Sequence, residues 1–239
     1  MDILHQPERV IIEYNGMWLV SNFEKMQLPT GWGVEQQITC VDGSTFQMYM
    51  ANMKSIFMDM IKNTDMVIFN RCKKEDPLPT YRRGIKVANQ RAEVIFEDEE
   101  GELGDIFQDE MPFDMNAPVI EILPEDYGIW FVDAMDHPEN YEGKTVKFKA
   151  RVMKPRGMGS KFFVPGRTAM TCCADDTTFL GYVCKSAYAP KLTPGEWVEV
   201  TAKVGIEKRN EYQGEEGIVL DAEHVEQCDP LEDEMVYFN

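Results

Sequence analysis

The sequence has few basic residues, and this scarcity limits what the protein binds. Its 239 residues include 24 Lys and Arg against 42 Asp and Glu, which gives a formal net charge of -18. An acidic surface repels the phosphates of nucleic acids and anionic membranes at long range. We therefore do not expect nucleic acid as a general partner, although a local basic patch escapes this argument.

Long apolar runs and a secretion signal are also missing. No stretch of about 18 apolar residues, the length that crosses a bilayer, occurs in the chain. The start MDILHQPERV has neither a basic n-region nor an apolar h-region. We expect no membrane segment and a soluble, cytoplasmic protein.

The cysteines do not form a recognisable framework. Six are present, without a CxxC pair, and Cys172 and Cys173 are adjacent, where an ordinary structural disulfide is awkward. Reduced thiols are the expectation for such a chain.

An uneven distribution of charge divides the chain in two. Residues 97–114 hold nine acidic residues and no Lys or Arg. Runs of like charge usually remain solvated, so this segment is predicted to be a hairpin or a connector. We place one domain at residues 1–115, including this connector, and a second domain at residues 116–239.

The first domain has the pattern of an α/β fold. Short, mostly β-branched runs predict strands covered on both faces, at residues 9–14, 37–41, 66–69 and 92–96. An amphipathic helix begins near Phe46, and a second helical segment covers residues 81–90. Strands that alternate with helices predict parallel pairing and right-handed crossovers, as in a partial Rossmann-like sheet.

The second domain changes to a β pattern. Residues 124–136 predict a short helix behind a proline suited to the first turn. Residues 145–152 alternate strictly between apolar and basic side chains, as in a strand with one buried face. Turn signals separate further strands predicted at residues 162–164, 178–184, 197–204 and 217–221. Five strands this close together predict a small closed barrel, with the OB-fold as the leading candidate.

The order of segment ends in the first domain resembles the CobW-type P-loop GTPases over roughly residues 9–97. An apolar run leads to Glu13 and Gly16, the next strand ends at Asp42, and the following one ends at Asn70 and Arg71. In that family the matching segments lie beside Mg²⁺ and GTP. The resemblance implies that these five residues are the remnant of a nucleotide-binding site.

The departures from that family are as informative as the matches. Arg71 stands where the family has Lys, and Lys73 stands where it has the guanine-reading Asp. The phosphate loop GxxxxGK(S/T) and the CxCC metal motif do not occur. The resemblance implies a catalytically incomplete GTPase portion that needs a partner, either a second copy or a polypeptide supplying the phosphate-loop half. Residues 9–14 or 37–41 should then have an unpaired strand edge.

The second domain resembles the C-terminal domain of a bacterial membrane-anchored family encoded beside putative permeases. The segments KFFVPGRTAMTCCADD, GEWVEVTAKV and MVYFN carry this resemblance over residues 116–239. That domain has no established activity and also occurs behind CobW-type GTPases. The resemblance implies an association with the homeostasis of a metal, zinc or similar, or of a small solute.

Three cysteines are the best candidates for a metal site. Cys172 and Cys173 lie one predicted strand away from Cys184, and together they provide ligands of the kind that Zn²⁺ prefers. Adjacent residues on a strand point to opposite faces, so at most one of the pair readily meets Cys184. The alternative is that these side chains are small apolar residues of a core.

A basic patch is the candidate site for an anionic ligand. Residues 144–167 contain eight Lys and Arg and no acidic residue. OB barrels often bind nucleic-acid strands on such a face, and the acidic connector is the internal competitor for it. The candidate residues are Lys147, Lys149, Arg151, Lys154 and Arg156.

Two hypotheses about function follow. The first is a catalytically incomplete portion of a CobW-type GTPase with an OB-like second domain, involved in metal homeostasis. The second is a binding module in which the barrel binds a metal, an anionic ligand or a protein partner, and the α/β half is a platform.

Overall fold

The computed structural model describes residues 7–104, 111–171 and 177–236. A small α/β part comes first and a β-barrel follows. The helices are α1 (Val20–Glu24), α2 (Phe46–Ile61), α3 (Leu78–Ala88) and α4 (Tyr127–Asp136). The strands of the first part are β1 (Ile38–Asp42), β2 (Met66–Asn70) and β3 (Glu93–Phe96).

The three strands form the parallel sheet that the sequence predicts, in the order β1-β2-β3. One face of this sheet packs against α2 and α3. The core between them is rich in aromatic rings, with Phe46 4.9 Å from Phe69 and 4.7 Å from Tyr81 between ring centroids. Edge-to-face contacts of this kind add to the free energy gained from apolar burial.

Strand β1 lies at the edge of the sheet. Among the described residues it pairs with β2 alone, so the expectation of a free edge at residues 37–41 is confirmed. Its side chains alternate, with Thr39 and Val41 buried and Ile38 and Cys40 exposed. Parallel sheets are usually covered on both faces, and this one is covered by helices on one.

The prediction of a strand at residues 9–14 is wrong. This segment has no regular structure, and Val10, Ile11 and Ile12 are 43%, 91% and 59% exposed. A β-branched run becomes a strand only when neighbouring strands pair with it and cover it. Among the described residues no strand pairs with residues 9–14. The chain turns at Gly16 and enters α1 instead.

The barrel is built by the second part of the chain. Its strands are β4 (Ile120–Glu121), β5 (Thr145–Met153), β6 (Phe162–Met170), β7 (Thr177–Gly181), β8 (Val183–Lys185), β9 (Trp197–Lys208), β10 (Glu216–Gln227) and β11 (Met235–Val236). The closed circuit runs β5-β6-β8-β10-β9 and returns to β5, which confirms the OB-like barrel. Strands β4, β7 and β11 are added outside this circuit.

The predicted strand at residues 178–184 is two strands in the structure. The two strands follow one antiparallel register along β6, interrupted at Tyr182: β7 pairs with the end of β6, and β8 pairs with its start and also with β10. The backbones come very close at Gly166, where an added Cβ would lie 2.3 Å from the Leu180 carbonyl oxygen. Only glycine allows β7 to approach β6 this closely.

Helix α4 lies against the barrel core. It begins behind a 3-10 turn at Pro124–Asp126, as the proline predicts, and it buries Trp130 and Phe131. The Tyr127 hydroxyl donates to the Leu180 carbonyl at 2.9 Å. The strict alternation predicted for β5 is confirmed, with Phe148 among its inward-facing residues.

The acidic connector contacts both cores at its described ends. Glu97 and Glu102 form an antiparallel bridge, which confirms the hairpin that the charge run predicts at this end. Leu103 is buried in the first core, and Phe113 is buried in the second. Residues 105–110, which carry part of the acidic run, lie outside the described residues.

Candidate functional site

Two loops at one end of the barrel border a cleft of about 530 Å³. One is the β5–β6 loop at residues 154–161, and the other is the β9–β10 turn at residues 209–215. Ligand sites typically measure roughly 300–1,000 Å³, and the corresponding loops of OB-folds bind ligands. The cleft is lined by Pro155, Arg156, Gly157, Met158, Lys208, Arg209, Asn210 and Glu211.

The β9–β10 turn is held in shape by its own backbone and by one tyrosine. Gly214 has a φ of 88°, in the left-handed region that favours glycine, and its N–H donates to the Arg209 carbonyl at 2.9 Å. The Tyr212 hydroxyl accepts the Val183 N–H at 3.2 Å and donates to the Ile218 carbonyl. These bonds tie one wall of the cleft to two barrel strands.

Arg209 is fixed against an aromatic ring at the base of this turn. Its guanidinium carbon lies 4.3 Å from the centre of the Phe162 ring, a cation–π arrangement. Glu211 pairs with it at 3.0 Å and Glu207 at 3.6 Å, and the Arg209 side chain is 16% exposed. The hydrogen bond from Arg209 lowers the pKa of Glu211. The guanidinium is therefore oriented, and its charge is balanced by its own neighbours.

Arg156 and Lys208 supply the uncompensated charge of the cleft. Both are exposed, and neither has a carboxylate within 4.0 Å in the part of the chain that the structure describes. They lie on opposite walls, one in the β5–β6 loop and one at the end of β9. Since Glu211 is already paired with Arg209, the free charge facing the cleft is positive.

The predicted basic patch is partly neutralised by the chain itself. Lys147 donates to Glu199 at 2.8 Å, a contact that raises the pKa of Lys147, and Lys149 lies opposite Glu199 in the strand ladder. Arg151 pairs with Glu234 at 3.6 Å. Two of the three basic residues on this face of β5 are therefore ion-paired, and the third lies beside a carboxylate.

The other two patch residues have different surroundings. The Lys154 ammonium donates to the carbonyl oxygens of Ala189 at 2.6 Å and Leu192 at 2.5 Å, so it ties the β5–β6 loop to a neighbouring turn. Arg156 lies in the cleft. Lys208 and Arg209 were not predicted as site residues, and the signal for them was their position beside the β9–β10 turn of an OB-like barrel.

The sheet edge predicted as a nucleotide remnant brings three of its five residues together. Asp42 and Asn70 are register partners at the ends of β1 and β2. Arg71 donates to Asp42 at 2.6 Å from a left-handed backbone with a φ of 55°, and Ser44 donates to Asp42 from its N–H and its hydroxyl. The Ser44 hydroxyl, followed by Arg71, lowers the pKa of Asp42.

Asn70 has an unusual feature at this edge. Its side-chain Oδ1 is buried, and within the described residues it accepts no hydrogen bond. A buried polar atom without a partner costs free energy and is a reason to consider a ligand or bound water. The carboxyl ends of parallel strands are where such sheets bind ligands.

Glu13 and Gly16, the other two predicted residues, do not join this edge through a strand. Because residues 9–14 form no strand, Glu13 is an exposed side chain in an irregular segment. The Gly16 carbonyl accepts the Tyr49 hydroxyl of α2 at 3.3 Å, which places Gly16 beside that helix.

Of the three cysteines predicted as metal ligands, the structure describes Cys184 alone. Cys172 and Cys173 lie outside the described residues. Cys184 is fully buried in the barrel core, and burial raises its thiol pKa. Zinc binds the thiolate, which an apolar core disfavours. Within residues 7–104, 111–171 and 177–236, no group of three His, Cys, Asp or Glu is placed to hold a metal ion.

Within the described residues, none of the helices combines the length and the apolar character needed to cross a bilayer.

The topology and the loop cleft define an OB-like β-barrel protein joined to a small parallel α/β sheet. Residues 102–238, more than half of the chain, match the DUF1980 C-terminal domain, and the chain belongs to that family. No curated protein matches the chain.

Solved structures show distant similarity to parts of the chain. The mitochondrial single-stranded DNA binding protein Rim1 from S. cerevisiae has 10% identity and a TM-score of 0.22, covering 36% of this chain and 95% of its own. A small single-stranded DNA-binding protein from Streptomyces coelicolor has 14% identity and a TM-score of 0.22 over the same shares.

An enzyme shows a similar partial likeness. Aspartyl tRNA synthetase from Entamoeba histolytica has 18% identity and a TM-score of 0.25 over 44% of this chain, which spans 22% of the synthetase. Likenesses at these identities and scores carry no argument about what this chain binds.

Proposed function

We propose that the chain is a binding module whose OB-like barrel takes a small anionic ligand in the cleft between the β5–β6 loop and the β9–β10 turn. The α/β half is its platform. The observation that carries this proposal is the pair of unpaired cations, Arg156 and Lys208, on facing walls beside the ring-stacked Arg209.

The size of the ligand follows from the balance of charge. A chain with a net charge of -18 repels a long polyanion over distances that exceed the cleft. A small anion is sensitive mainly to charges within a Debye length, about 8–10 Å in physiological salt. Among the residues that line the cleft, the cations Arg156, Lys208 and Arg209 outnumber the single acid, Glu211. A phosphate- or carboxylate-bearing small molecule therefore suits this site better than a nucleic-acid strand.

The test is a calorimetric titration of the full chain with pyrophosphate and with citrate as probes. The double variant R156Q/K208Q removes both free cations and should weaken binding at least about tenfold, because a hydrogen bond to a charged group contributes ~1.5–3 kcal/mol. The matched control K191Q/K203Q removes two exposed cations outside the cleft lining and should bind as the natural chain does. Equal loss in both double variants, or no binding of either probe, would contradict the proposal.

We propose a second candidate, a nucleotide-linked role inherited from a CobW-type GTPase and directed to metal homeostasis. The unpartnered Asn70 Oδ1 at the end of β2 favours it. Such a role requires a phosphate loop from a partner, either a second copy or another polypeptide, because no GxxxxGK(S/T) occurs in this sequence. Calorimetry with GTP and Mg²⁺ tests whether nucleotide binds, with N70A as the variant and the exposed N52A as its control. Binding that N70A leaves unchanged, or no heat at all, would exclude Asn70 as a nucleotide ligand.

A further inference from the structure

The end of the described chain forms a segment that lies across the barrel. Residues 229–236, here called the C-terminal strap, follow β10 and finish in the two-residue strand β11. β11 runs parallel to β6, with Met235 opposite Thr168 and Val236 opposite Ala169. Val236 is 4% exposed and belongs to the barrel core, whereas the residues before it in the strap are mostly exposed.

The strap fills a gap that the barrel circuit leaves open. β5 pairs with β6 between Val164 and Gly166, and its register does not extend further along β6. On the opposite side, β7 pairs with Thr168 and Ala169. The backbone of β6 beyond Gly166 therefore has one edge left, and the strap occupies it. We call this edge, together with Arg167, the strap slot.

Arg167 holds the strap in its slot. Arg167 is 2% exposed, and one of its terminal nitrogens donates to the carbonyl oxygens of Asp233 and Met235, both at 3.1 Å. The other terminal nitrogen donates to the Pro124 carbonyl. The salt bridges of the described residues do not include Arg167, and its buried charge is met by three backbone carbonyls, two of them from the strap, and by the Tyr127 ring, whose centre lies 5.6 Å from the guanidinium carbon.

The remaining contacts of the strap are few and exposed. Glu234 pairs with Arg151 at 3.6 Å, and both side chains are more than 40% exposed, so this ion pair contributes little. A two-residue strand with one buried side chain opens at a lower free energy than the long β9–β10 pair. In a domain swap, two copies of a chain exchange an identical element, and each element binds the site in the partner that it would otherwise fill in its own chain. The strap suits such an exchange, because an exposed segment joins it to the barrel and few contacts hold it.

We propose that the strap slot is a strand-binding site which takes the C-terminal strap of a second copy of this chain, so that two molecules exchange straps and form a dimer. The contacts of the slot identify its occupant: Arg167 donates to two backbone carbonyls, Arg151 pairs with an acidic residue, and the barrel core takes an apolar side chain at the Val236 position. The chain's own strap meets these requirements. This inference is independent of the ligand cleft and of the proposed function.

Complementary variants of the full chain provide the test. V236D places a charge at the buried position and prevents its strap from seating, while its slot stays intact. R167M removes the guanidinium and weakens the slot, while its strap stays intact. Each variant alone, and then an equal mixture of both, is held under conditions that open the strap and is analysed by size-exclusion chromatography with light scattering. Circular dichroism checks that each variant is folded.

Exchange predicts that each variant alone runs as a monomer of 27.5 kDa and that the mixture alone gains a species of twice that mass. In that species the intact strap of R167M occupies the intact slot of V236D. A mixture that stays monomeric with both variants folded overturns the proposal. If a variant fails to fold, V236S or R167K replaces it, since a small side chain still empties the Val236 position and a lysine cannot bridge two carbonyls as the guanidinium does.

Discussion

Asp136, in the last turn of α4, accepts Arg82 at 3.0 Å and Lys86 at 3.4 Å, and both partners come from α3. Arg82 and Lys86 are four residues apart and therefore lie on the same face of their helix. The Asp136 side chain is 9% exposed. This carboxylate joins the α/β part to the barrel part, and Val87 of α3 packs into the barrel core beside it.

The first prediction concerns this junction. D136N should lower the free energy of unfolding by about 1–3 kcal/mol, less than the ~3–5 kcal/mol for a fully buried pair because both cations keep some contact with water. Urea unfolding followed by circular dichroism measures the change. E139Q removes an exposed carboxylate close in sequence and is the control. An unchanged midpoint for D136N would show that packing alone joins the two parts.

The second prediction concerns the close antiparallel pairing of β6 and β7 at Gly166. G166A should destabilise the barrel by ~3 kcal/mol or more, because the added Cβ would meet the Leu180 carbonyl oxygen at 2.3 Å and the Phe179 ring at 2.4 Å, and overpacking of this kind forces the backbone to move.

The matched control for that prediction is another glycine within a barrel strand. At Gly205 in β9 the added Cβ would be 3.7 Å from its nearest neighbour, an ordinary contact. G205A should therefore be tolerated. Thermal unfolding of both variants compares them, and a G166A barrel as stable as G205A would mean that β6 and β7 separate at no cost.

Strand periodicity predicted most of the fold because alternation and apolar runs reflect burial directly. Residues 145–152 show this, since every predicted inward position of β5 is buried. Residues 9–14 do not follow this rule, since they form no strand. Their apolar run resembles that of β2, and what distinguishes the two is whether a neighbouring strand is present, which no local window contains.

The cleft was predictable only in part for a related reason. Arg156 belongs to a visible basic run, whereas Lys208 and Arg209 lie far along the chain among acidic residues. Closure of the barrel brings these segments together, and the same closure pairs Lys147 with Glu199, which sequence spacing does not show. The run of basic residues therefore predicted a basic patch, but the strand pairing determines which of its side chains have no carboxylate partner.

The third prediction concerns the thiols. Cys40 is exposed on β1, whereas burial raises the thiol pKa of Cys72 to about 11 and also raises that of Cys184. Because its side chain is exposed, Cys40 should react rapidly with a thiol reagent, while the buried thiols of Cys72 and Cys184, which burial keeps from the reactive thiolate form, react only as the protein unfolds. Mass spectrometry of labelled peptides over time measures this. C184A should also leave any Zn²⁺ affinity unchanged, and rapid labelling of Cys184 would contradict its buried placement.

The fourth prediction concerns acid stability and the pair Asp42 and Arg71. The pKa of Asp42 is lowered in the folded chain, chiefly by the Ser44 hydroxyl and then by Arg71. Such a group contributes stability that is present above its unfolded pKa of about 3.9 and is lost as pH falls through the lower folded pKa. The natural chain should therefore lose more stability than D42N as the pH falls below that unfolded value.

Unfolding by urea at a series of acidic pH values measures this difference. R71Q removes the weaker of the two causes and should reduce the pH dependence by less than D42N does. The double variant D42N/R71Q should match D42N alone, because Arg71 acts on this titration through Asp42. If R71Q reduces the acid dependence in a background that already carries D42N, a carboxylate other than Asp42 is the partner that matters at this sheet edge.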